Sequence, residues 1–302
     1  MVDTAVLTPA VLSAALRARL PWDKTASLDF TAVGDLIFRR QPDCTAAVQA
    51  ACGETLAALS QRGPAGSLLG CLPPPEAAQF PEQALGLVVL LDQAPRALLR
   101  GRDQRWTNGF FHPLACALVR DLFALPPPLR PHGRARWVDG LGASFEFWAV
   151  AWLWLVAPIV HSEALEDHDV VDGLVEEMRA EVEARTATTD PHRAEKEEGY
   201  RDTTLFAKMV REGPPRGDGE RMQDFMFWLC KLLDVHRPII EVFGRYPYRN
   251  ASMGRTSTEA EAQWLVETGL PGGVGEADAQ RIREDVLAGR WTPLGGGKGS
   301  SS

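Results

Sequence analysis

The sequence is poor in the residues that mark several common kinds of protein. Its 302 residues include 5 cysteines, odd in number and scattered without a C-x-x-C pair, which argues against a disulfide framework and against a cysteine zinc site. The formal charge of −8 gives no sign of a nucleic-acid-binding protein. A hydrophobic content of 45% excludes a wholly disordered chain. We therefore expect a globular cytoplasmic protein whose cysteines are small buried hydrophobes.

Long apolar runs are missing as well. The most apolar stretch, residues 147–160, contains Pro158 and is too short to span a bilayer, so it predicts a buried helix. The first twenty residues carry their arginines after the apolar run rather than before it, which is not the pattern of a secretory signal. We expect no contact with a membrane.

The common catalytic motifs are absent too. The sequence has no G-x-x-x-x-G-K-[ST] phosphate loop and no H-E-x-x-H zinc motif, and the glycines at 272–275 follow no predicted strand. Residues 142–146 lack the second glycine of a nucleophile elbow. The six histidines are not at tight metal-ligand spacing. The sequence thus predicts neither a metal site nor a bound cofactor.

Helical periodicity dominates what is present. Apolar residues recur at helix-like spacing, and a capping box at Thr258 and Glu261 precedes a glycine stop at Gly269. We predict an all-α protein with a single helical domain: an N-terminal region at 1–80, a core at 81–290 and a flexible Gly/Ser-rich tail at 291–302. The predicted helices are 8–20, 45–60, 84–93, 113–124, 144–157, 169–186, 220–236, 258–268 and 276–288, with loops at 62–81, 125–133 and 213–219.

Charge is unevenly distributed along the chain. Residues 162–198 carry 13 acidic against 4 basic side chains, whereas residues 94–136 carry 8 arginines against 2 aspartates. The basic stretch is either a solvated surface or a patch that accepts phosphates.

Three segments place polar groups directly against apolar runs. The first follows LGLVVLL and contains Asp92, Gln93 and Arg96. A carboxylate at the end of so apolar a helix is partly buried and needs a partner, which Arg96 can supply across Pro95. This pair is either a structural ion pair at a helix junction or part of a ligand-binding site.

The second segment is His161-Ser162-Glu163, after the tryptophan-rich helix. Pro158 is expected to kink that helix and open space where side chains converge. His161 is then a candidate general base, with Ser162 or a substrate amine as its proton donor and Glu163 as a third catalytic group. The alternative is a histidine satisfied within the core.

The third segment combines arginines with aromatic rings, glycines and a proline in a stretch that we expect to be irregular. Planar guanidinium groups suit carboxylates and phosphates, and the rings can stack on a substrate. The alternative is a structural loop pinned by buried arginines. Its candidate substrate-binding residues are His236, Arg245, Arg249, Asn250 and Arg255.

These segments resemble the motifs of a known family. LLDQAPRALLRG, PIVHSEAL and FGRYPYRNASMGRTSTE are similar, in order and spacing, to motifs of the domain of unknown function 924 family over about residues 84–268. The family's usual phenylalanine, asparagine, glutamine and histidine are replaced by Ala94, Ala97, His168 and Tyr248, which indicates a specialised branch.

The resemblance implies a TPR-like fold of antiparallel helix pairs. It also links the chain to fungal arginine-containing cyclodipeptide synthases, which use aminoacyl-tRNA. On that hypothesis His161 deprotonates an amine, Asp92 and Glu163 bind a substrate guanidinium, and the basic stretch contacts tRNA. The alternatives are a TPR-like module that binds a peptide or small anion through Arg245, Arg249 and Arg255, and a hydrolase or metal-assisted enzyme built on His161, Glu163 and His236. The oligomeric state stays open.

Overall fold

The computed structural model describes residues 6–39, 41–62, 67–216, 221–270 and 272–295, and it confirms the predicted all-α fold for these residues, among which there is no β-strand. Within them, every helix is too short or too polar to cross a lipid bilayer. The helices are α1 (Pro9–Arg19), α2 (Phe30–Phe38), α3 (Pro42–Arg62), α4 (Phe80–Val88), α5 (Ala94–Leu98), α6 (Gln104–Trp106), α7 (His112–Phe123), α8 (Arg134–Leu141), α9 (Phe145–Val160), α10 (Leu165–Thr186), α11 (Arg193–Glu198), α12 (Leu205–Glu212), α13 (Met222–Asp234), α14 (Arg237–Phe243), α15 (Glu259–Thr268) and α16 (Glu276–Leu287).

The prediction of an irregular segment after His236 is wrong for its first part, since α14 occupies Arg237–Phe243. Pro238 suggested a break, but a proline in the first turn of a helix loses no hydrogen bond. The short helices α2, α8, α11 and α12 were also not predicted. The capping box of α15 is present, with the hydroxyl of Thr258 accepting from the Glu261 N–H and the Glu261 carboxylate accepting from the Thr258 N–H.

The core is organised around α9. Of its sixteen residues only Glu146 is not buried, as its apolar sequence predicts. Helices α4, α7, α8 and α10 pack around α9, and α1 packs on α4 so closely that a side chain on Gly86 would overlap the carbonyl of Leu12. One continuous hydrophobic cluster runs from Leu7 to Val235 and therefore joins the N-terminal region to the core. The TPR-like pairing of helices stays a prediction.

Two π-helical turns, at Val89–Gln93 and Thr107–Phe111, interrupt the helices that carry several of the candidate site residues. The residue after each turn, Ala94 or His112, donates its backbone N–H to the carbonyl five residues earlier. The residue after that is a proline, Pro95 or Pro113. Because proline has no N–H and its ring crowds the carbonyl four residues back, a wider turn accommodates it. The first π turn carries Asp92 and Gln93, and the second ends next to His112.

The predicted tail lies outside the described residues from 296 onward. Its first residues are described, and they return to the core: the Trp106 indole N–H donates to the carbonyl of Thr292, and the rings of Trp106 and Trp291 lie 4.6 Å apart.

A buried ion-pair network ties α10 to α13. The guanidinium of Arg179 is fully buried and donates to Asp190 at 2.6 Å and to Asp234, which also accepts from Lys196 at 2.7 Å. Each carboxylate thereby has a cationic partner, as buried charges require.

We predict that Arg179→Leu lowers the free energy of unfolding by about 3–5 kcal/mol, because it leaves two buried carboxylates without their shared cation. Urea denaturation followed by circular dichroism measures the change. Arg185→Leu, on the exposed side of the same helix, is the matched control and should change stability by roughly 0.5 kcal/mol or less. Equal effects of the two substitutions would contradict the prediction.

Candidate functional site

The carboxylate of Asp92 lies at the centre of the candidate site. It is 1% exposed, and its Oδ1 accepts from Nε and Nη2 of Arg96 at 3.2 and 3.0 Å. Its Oδ2 accepts from the amide of Gln93 at 2.6 Å. Two imidazoles complete the surroundings: Nδ1 of His112 lies 3.4 Å from Oδ1, and Nδ1 of His161 lies 3.5 Å from Oδ2.

This geometry brings together residues that are distant in the sequence. The first predicted segment contributes Asp92, the second contributes His161, and the third contributes His236, whose ring centroid lies 6.1 Å from that of His161. Nδ1 of His236 lies 2.8 Å from the carbonyl of Leu232. The predicted pairing of Asp92 with Arg96 is confirmed.

Burial decides the charge states in this cluster. It lowers the pKa of His161 to about 3 and that of His112 to about 4, and it holds the pKa of His236 well below its usual range. Burial alone raises the pKa of Asp92, but the charge of Arg96 and the neighbouring imidazoles outweigh it and hold the pKa well below the usual range. At neutral pH the cluster therefore holds one carboxylate, one guanidinium and three neutral imidazoles.

A cavity of about 430 Å³, which we call the larger cavity, opens beside this cluster. Gln93, Arg96, His161 and His236 from the predicted site all line it. Among the described residues no aspartate or glutamate lines it. Its other walls are mostly apolar, and its further polar and aromatic lining includes Arg19, Arg39, Arg100, Trp154, Phe206 and Tyr248.

Arg19 was missed by the sequence analysis. It is 8% exposed, its guanidinium carbon lies 4.8 Å from the centre of the Trp154 ring, and its Nε has no hydrogen-bond partner in the described structure. The available signal was its spacing: Arg19 falls on the buried face of α1, with Leu12, Ala15 and Leu16. An arginine on the apolar face of a helix needs a partner, which the periodicity could have revealed.

A second cavity of about 350 Å³, which we call the smaller cavity, is lined by His112 from the same cluster and also by Ser162, Glu163 and Arg249. The structure thus separates Ser162 and Glu163 from His161 and His236. The expected partnership of Ser162 with His161 is not formed in the described structure, where the Ser162 hydroxyl accepts the N–H of Ala164 at 3.1 Å and is hydrogen-bonded to the Asp167 carboxylate. The grouping of Glu163 with both histidines fails likewise.

Glu163 instead fastens the third segment to the core. It accepts from Nη1 and Nη2 of Arg255 at 2.7 and 2.9 Å and from the backbone N–H of Tyr246 at 3.0 Å. Since Asp92 likewise binds Arg96, the expectation that these two carboxylates bind a substrate guanidinium would require displacing a protein arginine.

Two more candidates of the third segment have internal partners. Arg245 donates to both carboxylate oxygens of Glu261 at 2.6 and 2.8 Å, and Asn250 donates to Ser257 at 3.1 Å. The reading of this segment as a loop pinned by arginines therefore holds for Arg245 and Arg255. Arg249 is the exception, since no ion pair involves it among the described residues.

With the geometry established, comparison with known proteins identifies the family. Residues 34–269 match the family described as bacterial protein of unknown function (DUF924). The chain belongs to this family. The match begins some fifty residues before the predicted resemblance and includes all candidate site residues of the three segments, whereas Arg19 lies outside it. No curated protein and no solved structure matches the chain. Within the described residues no group of three or more His, Cys, Asp or Glu side chains is arranged to hold a metal ion.

We predict that the protein loses stability as the pH falls from about 6.5 towards 5. In this window the unfolded chain takes up protons at histidines whose folded-state pKa is depressed, so unfolding is favoured by up to about 1.4 kcal/mol per pH unit for each such histidine. Urea denaturation at pH 7.5, 6.5 and 5.5 measures the slope. His161→Gln removes one of these protons and should reduce the slope, whereas a stability that stays flat between pH 6.5 and 5.5 would contradict the prediction.

We predict that Asp92→Asn lowers the free energy of unfolding by about 3–5 kcal/mol, because Arg96 loses its only carboxylate partner in the described structure. Combining it with Arg96→Met should cost less than the sum of the two single changes, since the double variant leaves no unpaired charge. Denaturation of the four proteins of the cycle measures the coupling, and strictly additive effects would show that the pair is not coupled.

Proposed function

We propose that this protein is an enzyme that acts on amino-acid-derived substrates, most concretely a tRNA-dependent, arginine-containing cyclodipeptide synthase. The observation that carries the proposal is the position of the His161 imidazole in an arginine-lined cavity, with its Nδ1 3.5 Å from the buried carboxylate of Asp92. A neutral imidazole accepts a proton, and a carboxylate stabilises the imidazolium that results.

The lining of the larger cavity favours a substrate with anionic or acceptor groups. Arg19 and Trp154 each present a buried N–H without a partner in the described structure, and no acidic side chain described there lines the cavity. The terminal nucleotides of an aminoacyl-tRNA carry phosphates, hydroxyls and ring nitrogens, all of which accept hydrogen bonds. The cavity volume of about 430 Å³ is in the range of small-molecule sites.

The proposed reaction needs two acyl transfers. In the first, the amine of one aminoacyl group attacks the ester carbonyl of the other, His161 takes the amine proton, and the ester C–O bond breaks. The departing ribose hydroxyl receives the proton. In the second, the free amine of the dipeptidyl ester attacks its own ester carbonyl, which closes the six-membered ring and releases the second tRNA. The choice of arginine as one building block comes from the resemblance to the fungal enzymes.

A second candidate is a module that binds a small anion without chemistry. It is favoured by the buried guanidinium groups of Arg19 and Arg249, which have no carboxylate partner among the described residues. This candidate uses Arg19 in the larger cavity and Arg249 in the smaller cavity, and it forms no product.

Expression in a bacterial host, which supplies every aminoacyl-tRNA, separates the two candidates. We predict new arginine-containing cyclic dipeptides in the medium, detected by mass spectrometry, and their loss by a factor of about 10² or more in His161→Ala, because the general base is removed. His192→Ala, a histidine outside the cluster, is the matched control and should retain the product. A soluble, folded protein without any such product would overturn the synthase proposal and favour the anion-binding module.

A further inference from the structure

The smaller cavity is a site in its own right. Its volume is about 350 Å³, and it is lined by His112 of the Asp92 cluster but not by His161. Its polar and ionisable lining includes Asn108, His112, Cys116, Arg120, Glu163 and Arg249. The second π turn, helix α7, the segment after α9 and the turn at Pro247–Arg249 bring these groups together.

Arg249 is the arginine of this cavity that has no carboxylate partner among the described residues. The residue is 3% exposed, and its Nε and Nη2 have no hydrogen-bond acceptor among the described residues. Its guanidinium carbon lies 4.7 Å from the ring centre of Tyr246 and 5.8 Å from that of Tyr248. These rings attract a cation, and the Tyr248 side chain is also hydrogen-bonded to the guanidinium, but Nε and Nη2 still lack an acceptor.

The other charges around the cavity cancel in pairs. Arg120 donates to both oxygens of Asp167 at 2.9 and 2.5 Å, and both oxygens of Glu163 accept from Arg255. Glu163 also interacts electrostatically with Arg249, although no ion pair joins the two among the described residues. The burial that lowers the pKa of His112 leaves it neutral. The cavity is therefore surrounded by three guanidinium groups and two carboxylates, and its net charge is positive.

A buried charge without a partner is costly, and a planar fork of N–H groups is suited to two oxygens of one anion. We propose that the smaller cavity binds a small oxyanion, the carboxylate or phosphate group of a ligand, through Arg249. Asn108 donates to Ser252 at 2.7 Å and leaves its side-chain oxygen beside the cavity for a donor on the rest of the ligand. This proposal is independent of the proposed reaction, which concerns the larger cavity.

The test is thermal unfolding of the full chain titrated with acetate, inorganic phosphate or acetamide at constant ionic strength. Acetamide has the shape of acetate without its charge. We expect acetate or phosphate to raise the melting temperature saturably and acetamide to leave it unchanged. If only acetate acts, the natural group is a carboxylate, and if only phosphate acts, it is a phosphate.

Three variants assign the effect to Arg249. Arg249→Met, which keeps the length of the side chain, should weaken anion binding at least tenfold, and Arg249→Lys, which keeps the charge but loses the fork, should weaken it less. Arg281→Met is the matched control, because Arg281 is exposed and lines neither cavity, and it should retain the Arg249-dependent binding.

Equal binding by wild type and a folded Arg249→Met would overturn the proposal. The proposal would also be overturned if acetate and acetamide had equal effects on the wild-type protein and phosphate had no effect. This comparison needs no variant, so it decides the matter if Arg249→Met does not fold. Loss of cyclic dipeptides in His161→Ala with unchanged anion binding would support the proposed reaction and this site separately.

Discussion

The buried carboxylate of Asp92 is the interaction on which the arrangement of the site depends. It lies at 1% exposure where a helix of almost purely apolar sequence reaches the centre of the protein. Its burial is tolerated because Arg96, Gln93 and the imidazole of His112 surround it within 3.4 Å. Each of these partners is held in turn by the carboxylate. The cluster therefore contributes lining residues to both cavities, Arg96 and His161 to the larger one and His112 to the smaller one.

The backbone is shaped to make this cluster possible. A regular α-helix would not place Asp92 and Gln93 as the π turn does, and a second π turn precedes His112 in the same manner. In both places a proline lies two residues beyond the turn. The proline removes a hydrogen bond that a regular helix would need, so the irregular turn costs less there than elsewhere. The two prolines are thus part of how the sequence specifies the site.

Much of the fold could be predicted from the sequence, because long amphipathic or wholly apolar helices carry strong periodic signals. Helices α1, α9 and α10 begin and end within a few residues of their predicted bounds. The short helices could not be predicted, since α14 has only seven residues and carries in its first turn a proline, a residue that also marks turns. Glu163 and Arg255 could be recognised as charged groups near apolar runs. That they form an ion pair could not be predicted, because the two residues lie 92 positions apart in the chain.

Net charge was a poor guide to the chemistry of the cavities. The chain is acidic overall, yet its acidic excess is concentrated at residues 162–198, where many carboxylates pair with arginines near the surface, as Glu176 and Glu183 do with Arg193. The two cavities beside Asp92 are instead lined by arginines, and one guanidinium in each lacks a carboxylate among the described residues. A field that acts on a ligand is set by the charges within a few ångströms in a poorly solvated space, because water and salt screen the distant ones. An acidic protein can therefore present two cationic cavities, each lined by residues that contact a single buried carboxylate.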